Sequence, residues 1–551
     1  MDEKDSTENK IFAKDVKKMK NALIHHKESL TLFACLSLIF LLYVSTIPQD
    51  ITSSPMFYNP SENMYYFFSQ LYKESGSLSY TPPYVNKVPG DIYLAFTPRD
   101  AAMYNSNIVL QGTLYTPIIY GTLLIFLEDL YFLLTPIISI FSLVVLYLIF
   151  KNIFNSVVAL VSIILLSLLP IYWFLSVSIV SDTILSSFMF LLGVYWVTKL
   201  LNHQKLSFYI LASIFFAFSL GTRYENILLL LPLILIFIIV KLKEINWKYL
   251  LASIIVTSII LFNILYLNNL LYGSPFKTGY HILLEDMFTS FGRPPPSTLE
   301  PPIEVVGQIL KNHVFGTYKL VAIFGIFGLM YLIKKIRFEG NKVLFYIVYI
   351  LITLCTGFWF FGTEPSFGFN IEVIHPSFIK HNLIEILLFV PFLSIFVIEM
   401  KRFSKMLVLL LILILVINNV SLALFLDEGI IKQKNKNNYR LQIYNKVMEV
   451  TELDSIIITV KNDKILFPSR NILVSYYLFK HNNEWEPFPR DPTILAEKII
   501  KIKDSINKSL YIEELPTGKY ITILENKLKN HGYRLELILN FKGYRLYKIQ
   551  A

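Results

Sequence analysis

Residues 207–240 read SFYILASIFFAFSLGTRYENILLLLPLILIFIIV. Two apolar runs flank a tip in which Arg223 and Glu225 are the only charged residues. Neither run has a hydrophilic face to offer to water, so each reads as a helix in lipid. The pair forms a tight hairpin, or a re-entrant pair, with its polar groups gathered at the tip. The rest of the chain repeats this pattern. Apolar runs fall near 30–48, 129–150, 156–174, 180–198, 207–222, 224–240, 248–270, 317–333, 343–361, 382–400 and 406–426, about eleven spans in all.

Composition agrees. The 551 residues are 54% hydrophobic and 16% charged, whereas roughly a quarter of the residues of a soluble domain are charged. The net charge of +10 would suggest nucleic acid in a soluble protein. Here the cations sit in short gaps between apolar runs, at Lys151, Lys199 and Lys205, Lys241, Lys243 and Lys248, Lys334, Lys335 and Arg337, and Lys401, Arg402 and Lys405. With the Lys-rich tail 1–29 in the cytoplasm, every one of these turns is cytoplasmic, as the positive-inside bias requires. The segments 49–128, 271–316, 362–381 and everything after 427 then share the opposite face. The run LTLFACLSLIFLLYVSTI at 30–47 follows a charged tail and lacks a small-residue cleavage site, so it reads as a retained helix. The only two cysteines, Cys35 and Cys355, both fall within apolar runs, which leaves no disulfide framework.

After 427 the pattern changes. KQKNKNNYRLQIYNKVMEV is a polar helix, DSIIITV a short strand, PTILAEKIIKIKDSI and ITILENKLKNHG further helices, and YRLELILNFKGYRLYKI two strands around a Lys-Gly turn. The fold class is an α-helical polytopic membrane protein, its membrane part at 30–426, with a small extracytoplasmic α/β domain at 427–551. GRPPPSTLEPP at 292–302 reads as a stiff loop of the polyproline type.

Polar residues at the outer ends of membrane helices are functional candidates. In NPSENMYYFFSQLYKESG at 59–76, Glu62 suits two roles. It can close a capping box with Asn59 as cap and Pro60 in the first turn, or it can be a base facing a membrane cavity. The stripe Met64, Phe67, Phe68, Leu71 and Tyr72 lays this helix on the membrane surface. Arg223 breaks the inside bias and suits a phosphate, or it pairs with Glu225 or with headgroups. Asp182 is either a site residue or the cap of its own helix. Lys380 binds phosphate or snorkels. In the first loop Asp91, Arg99 and Asp100 stand ahead of an apolar, Pro-containing stretch, and Arg99 and Asp100 can simply pair. The outward histidines His281, His313, His375 and His381 have no metal-ligand spacing, so neither a divalent metal nor any other cofactor is called for. No Gly-rich phosphate loop or Walker lysine is present, which leaves a donor that is itself in the membrane.

GTLYTPIIYG (112–121), SDTILSSF (181–188), LGTRYENILLLLPLIL (220–235) and NNLLYGSPFKTGY (268–280), in this order after an acidic amphipathic helix, resemble the GT-C class of polyprenyl-phosphate-sugar-dependent glycosyltransferases. The likeness is to the group of protein O-mannosyltransferases and aminoarabinose transferases. NDKILFPSRNILVSY (462–476) more weakly resembles the extracytoplasmic domain of archaeal members.

The resemblance implies a polyprenyl (dolichyl) phosphate-linked sugar as donor, a protein, glycan or lipid as acceptor, membrane lipids as surroundings and no nucleic acid. It implies a single inverting displacement, with Arg223, Arg99 and Lys380 on the donor phosphate and Tyr65, Asp182, Tyr224, Glu225 and Tyr280 binding substrate. The family's first loop carries an Asp-Glu pair ahead of a Tyr. Here the Tyr is Tyr65, the Glu is Glu62 and the Asp position is Ser61, so the base is Glu62, or Asp100 or Asp91 further on. The Trp-Trp-Asp motif of oligosaccharyltransferases is absent. The rival functions are a flippase or transporter of lipid-linked sugars, against which stands the lack of internal symmetry, and a membrane-anchored scaffold.

Overall fold

The computed structural model describes residues 26–47, 60–89, 92–282, 307, 310–339, 341–362, 382–426, 428–460, 462–475, 489, 491–513, 515–516 and 518–550. Asn59, Asp91, Lys380, His375, His381 and the Pro-rich stretch 292–302 lie outside the described residues.

Helix α1 (His26–Ser45) leads to α2 (Pro60–Ser75) and α3 (Tyr115–Phe126). The membrane part continues with α4 (Leu134–Ile153), α5 (Ser156–Ser167), α6 (Pro170–Ser176), α7 (Asp182–Leu200), α8 (Leu206–Thr222), α9 (Ile227–Lys241) and α10 (Trp247–Tyr272). It closes with α11 (Lys319–Glu339), α12 (Asn341–Gly362), α13 (Leu383–Glu399) and α14 (Lys405–Phe425). Each expected apolar run is helical. Among the described residues seven helices are long and apolar enough to cross a bilayer, or up to nine if each of two bent pairs is one span, whereas the apolar stretches Leu206–Thr222 and, within α12, Lys342–Gly357 are shorter. By length and composition the described residues thus account for up to nine of the eleven expected spans.

One bent pair is α5 and α6, which meet at 70°. Pro170 opens α6; it has no amide hydrogen to continue the α5 ladder, and its ring is tolerated only at a helix start. The bend is tied to α1, because Tyr43 Oη donates to the Ser167 carbonyl at 2.8 Å and Trp173 Nε1 to Thr46 Oγ1 at 2.9 Å. Across α5 and α13, Ser162 Oγ donates to Ser394 Oγ at 2.9 Å, the kind of polar contact that holds helices together where burial of apolar surface gives no drive. Ile254, Ile255, Ile259 and Phe262 on α10 are exposed, as a lipid-facing surface requires.

The first loop folds into a three-stranded antiparallel sheet, β1 (Ser79–Tyr80), β3 (Asn107–Leu110) and β2 (Ala101–Tyr104) in that spatial order. Helix α2 packs on α3, and its apolar stripe is covered by protein: Met64 and Phe68 are fully buried. That face is turned chiefly onto α3, with the half-buried Phe67 edge-on to Tyr80 and Phe467.

The C-terminal region has α15 (Ile430–Val450), β4 (Ile456–Thr459), α16 (Asp463–Leu466), β5 (Asn471–Val474), α17 (Pro492–Ser505), β6 (Leu510–Glu513), α18 (Lys519–Lys529), β7 (Arg534–Phe541) and β8 (Tyr544–Gln550). Its sheet runs β5-β4-β6-β8-β7, with β4 parallel to β5 and β6, and β8 antiparallel to β6 and β7. Lys542 and Gly543 at the β7–β8 turn both have positive φ, 49° and 89°, the twist that a two-residue hairpin favours. Helix α16 packs on α2, so this region and the first loop lie at the same end of the helix bundle.

Candidate active site

A cleft opens where five segments converge. Its lining is Ser61 and Tyr65 of α2, Asp100 with Leu110, Gln111, Gly112 and Thr113 of the first loop, Asp182 of α7, Thr222, Arg223 and Glu225 of the α8–α9 turn, and Tyr280. The empty space, with its open mouth, is about 520 Å³.

The turn at 223–225 is fixed from behind. Asn226 Nδ2 donates to Ser186 Oγ at 2.5 Å and to Ser219 Oγ at 2.6 Å, tying the tip to α7 and α8, and Thr113 Oγ1 donates to the Thr222 carbonyl at 2.5 Å. The Arg223 side chain is only 6% exposed. Its Nε and Nη2 donate to Glu225 Oε1 at 2.9 and 2.5 Å, and its Nη1 to Thr183 Oγ1 at 3.0 Å. Asp182 Oδ2 lies 3.9 Å from Nε. Pairing with Glu225 is thus real, and it occurs inside the cleft rather than in place of it. Asp182 does not cap its helix. That role belongs to Ser181, whose hydroxyl accepts the Ile184 amide hydrogen at 3.2 Å, leaving the Asp182 carboxylate to face the cleft.

Asp100 accepts a hydrogen bond from the Ser61 hydroxyl, so the residue in the expected Asp position serves the acid further along the loop. Glu62 points elsewhere. It is buried, its Oε1 accepts the Ile179 amide hydrogen at 2.6 Å, and it is not part of the cleft lining. Tyr65 lines the cleft, where burial, with Asp182 nearby, pushes its hydroxyl well above the usual tyrosine range, so it stays a neutral donor. Tyr224 turns away, its hydroxyl 3.4 Å from Asn268 Oδ1 on α10. Arg99 reaches to the C-terminal region, where its Nη2 meets Asp463 Oδ1 at 2.5 Å. Ser61, Gln111 and Thr113 are cleft residues that the sequence did not single out as ligands, since each is a common polar type with no local signature.

The segment carrying Tyr280 is placed by two glycines. Gly273 ends α10 with φ 73°, the left-handed conformation that suits a helix terminus. At Gly279 a Cβ would lie 2.2 Å from the Leu110 carbonyl oxygen and 2.5 Å from Gln111 Cα. Both are backbone atoms that cannot yield, so Gly279→Ala must push Tyr280 off the cleft. A shift near 1 Å can cost about 100-fold, and turnover by this variant should fall by about 10- to 100-fold. Unchanged turnover would mean that Tyr280 does not need its position.

Beside Arg99, burial pushes the Lys464 ammonium down to about 8; Arg440 and Arg99 add to this, and Asp463 and Glu62 oppose it. A cation whose folded pKa is depressed costs stability fully below that value, and the cost fades as pH climbs toward the unfolded value of 10.5. The thermal midpoint of the wild type, measured against that of Lys464→Met, should therefore rise between pH 8 and 10.5. A flat difference across that window contradicts the assignment.

Residues 118–266, from α3 to α10, match the family model described as dolichyl-phosphate-mannose-protein mannosyltransferase. The chain is similar in structure to ArnT from Cupriavidus metallidurans in the apo state, at TM-score 0.54 and 11% identity, over 94% of this chain and 97% of that one. The chain has the GT-C glycosyltransferase fold. The undecaprenyl-phosphate-bound form of ArnT gives TM-score 0.55 at 10% identity over 94% and 97% of the two chains. The apo Archaeoglobus fulgidus oligosaccharyltransferase, also of GT-C fold, gives 0.51 at 10% identity over 88% of this chain and 69% of that one. No curated protein matches in sequence. The stretch that matches the family model contains Asp182, Arg223, Tyr224 and Glu225, so one wall of the cleft is built from it.

Proposed function

We infer that the protein is a membrane glycosyltransferase that moves a hexose or related sugar from a polyprenyl (dolichyl) phosphate to a hydroxyl of a protein, glycan or lipid acceptor. The observation that carries this reading is one cleft holding both the Asp100 carboxylate and the oriented Arg223 guanidinium, on a fold that in ArnT holds undecaprenyl phosphate. The acceptor oxygen attacks the anomeric carbon from the side opposite the phosphate, inverting it. The carbon–oxygen bond to phosphate breaks, and the polyprenyl phosphate leaves with one more negative charge. Asp100 takes the acceptor proton as base, and Arg223 stabilises the charge that develops on the leaving phosphate. Asp182, Glu225, Tyr65 and Tyr280 bind sugar and acceptor, and Glu62 braces the 179–181 turn.

The reading places the amino terminus in the cytoplasm and the cleft and C-terminal region on the outer face, with units at 1–29, 30–426 and 427–551. Purified protein in proteoliposomes with a radiolabelled polyprenyl-phosphate sugar and candidate acceptors tests it. Labelled glycoside is expected. Vectorial movement of intact donor without product would mean a flippase, and neither outcome a scaffold.

A further inference from the structure

The C-terminal region reaches the frame of the cleft through Asp463 and Phe467. The Asp463 side chain, 1% exposed, accepts the Arg99 backbone amide hydrogen on Oδ2 at 2.9 Å, and Arg99 Nε and Nη2 on Oδ1 at 2.9 and 2.5 Å. Arg99 and Asp100 are the central residues of a turn closed by the Ala101 amide hydrogen on the Pro98 carbonyl at 3.2 Å. Asp100 has φ 64°. The third position of a turn with positive φ favours glycine or asparagine, and aspartate is among the few other residues that adopt it, uncommonly. In that conformation the Asp100 carboxylate accepts the Ser61 hydroxyl hydrogen at the start of α2. Strained backbone of this kind persists only where its surroundings over-determine it.

Asp463 is itself held firmly. Glu513, fully buried at the end of β6, accepts the Val460 amide hydrogen at 2.8 Å, Asn462 Nδ2 at 3.1 Å, Tyr544 Oη at 3.0 Å and the Thr459 hydroxyl, which locks the loop from β4 to α16. On the far side Phe467 meets Phe67 of α2 edge-on at 4.8 Å between ring centroids and Tyr80 of β1 at 6.1 Å. The segment is thus wedged between the C-terminal sheet on one side and α2 and β1 on the other.

The geometry points to Asp463 as a positioning residue for Asp100: by gripping Arg99 at both main chain and side chain it holds the turn in the conformation that aims the Asp100 carboxylate into the cleft. This rests on Asp100 being the base. Asp463 then contributes to the chemical step from outside the described cleft lining.

The test is a cycle of Asp463→Ala, Asp100→Asn and the double variant, in the full chain in proteoliposomes, reading kcat and donor KM separately. Asp463→Ala alone should lower kcat by about 10- to 100-fold, as expected for a misaimed reacting group, with donor KM within about twofold. On the Asp100→Asn background the same change should cost nothing further, since a residue acting only through Asp100 has nothing left to act through. Losses that multiply, or an Asp463→Ala kcat equal to wild type, overturn the proposal. Near-normal turnover by Asp100→Asn instead overturns the base assignment, which keeps the two failures distinct. Should Asp463→Ala not fold, Asp463→Asn carries the same cycle: its amide keeps one acceptor, a partial kcat loss that vanishes on the Asp100→Asn background is expected, and a full multiplicative loss overturns the proposal.

Discussion

Asp100→Asn should slow sugar transfer by about 10²- to 10⁴-fold, the usual contribution of a positioned base, with donor binding retained. Asparagine matches aspartate in size and can still meet the Ser61 hydroxyl, so the turn and the cleft should survive and only the proton-accepting charge is lost. Single-turnover rates on preloaded donor separate chemistry from binding. The companion change is Glu62→Gln. Glutamine keeps the oxygen that receives the Ile179 amide hydrogen, so turnover should stay within about tenfold of wild type, far short of the loss of a base. A profound loss with Glu62→Gln beside a mild one with Asp100→Asn would return the base role to Glu62.

Arg223 should show the second large effect, and two substitutions divide its causes. Arg223→Met leaves Asp182 and Glu225 facing each other without their cation. Breaking a buried pair by removing one partner costs about 3–5 kcal/mol; Glu225 is 24% exposed, so water softens the loss toward the lower end of that range. A marked fall in thermal midpoint is expected, and activity should be undetectable. Arg223→Lys keeps the charge, and the protein should fold. A single ammonium cannot reproduce the planar fork that reaches Glu225 through two nitrogens and Thr183 through the third. A loss of about 10²- to 10³-fold in kcat is expected, comparable to removing one donor to a developing oxyanion. Wild-type turnover in Arg223→Lys would remove Arg223 from the leaving-group step and leave it as a strut for the turn.

The membrane helices were legible because lipid allows so few solutions: a backbone with no water to bond must satisfy itself, and the apolar runs announce where it does. The 70° break between α5 and α6 was only half legible, since Pro170 marks a helix start but not the angle of the next segment. The loop sheet was invisible because β1, β2 and β3 span two to four residues each, too few for an alternating pattern to emerge. In the cleft, the residues at helix ends stood out through the cost of polar groups in lipid, which is why Asp182 and Arg223 could be named. The partner of Arg99 could not be. Asp463 lies 364 residues away, and nothing local at either end encodes the meeting. Ser181 rather than Asp182 as the cap was likewise a choice between neighbours that only three-dimensional packing settles.

The grip of Asp463 on Arg99 also bears on how such a protein comes into being. The helices that carry Asp182 and Arg223, and the loop that carries Asp100, all emerge from the ribosome well before residue 463. A chain interrupted in that interval still lacks the residue that grips Arg99 beside Asp100. On the proposed positioning role, competence would then await synthesis of residue 463.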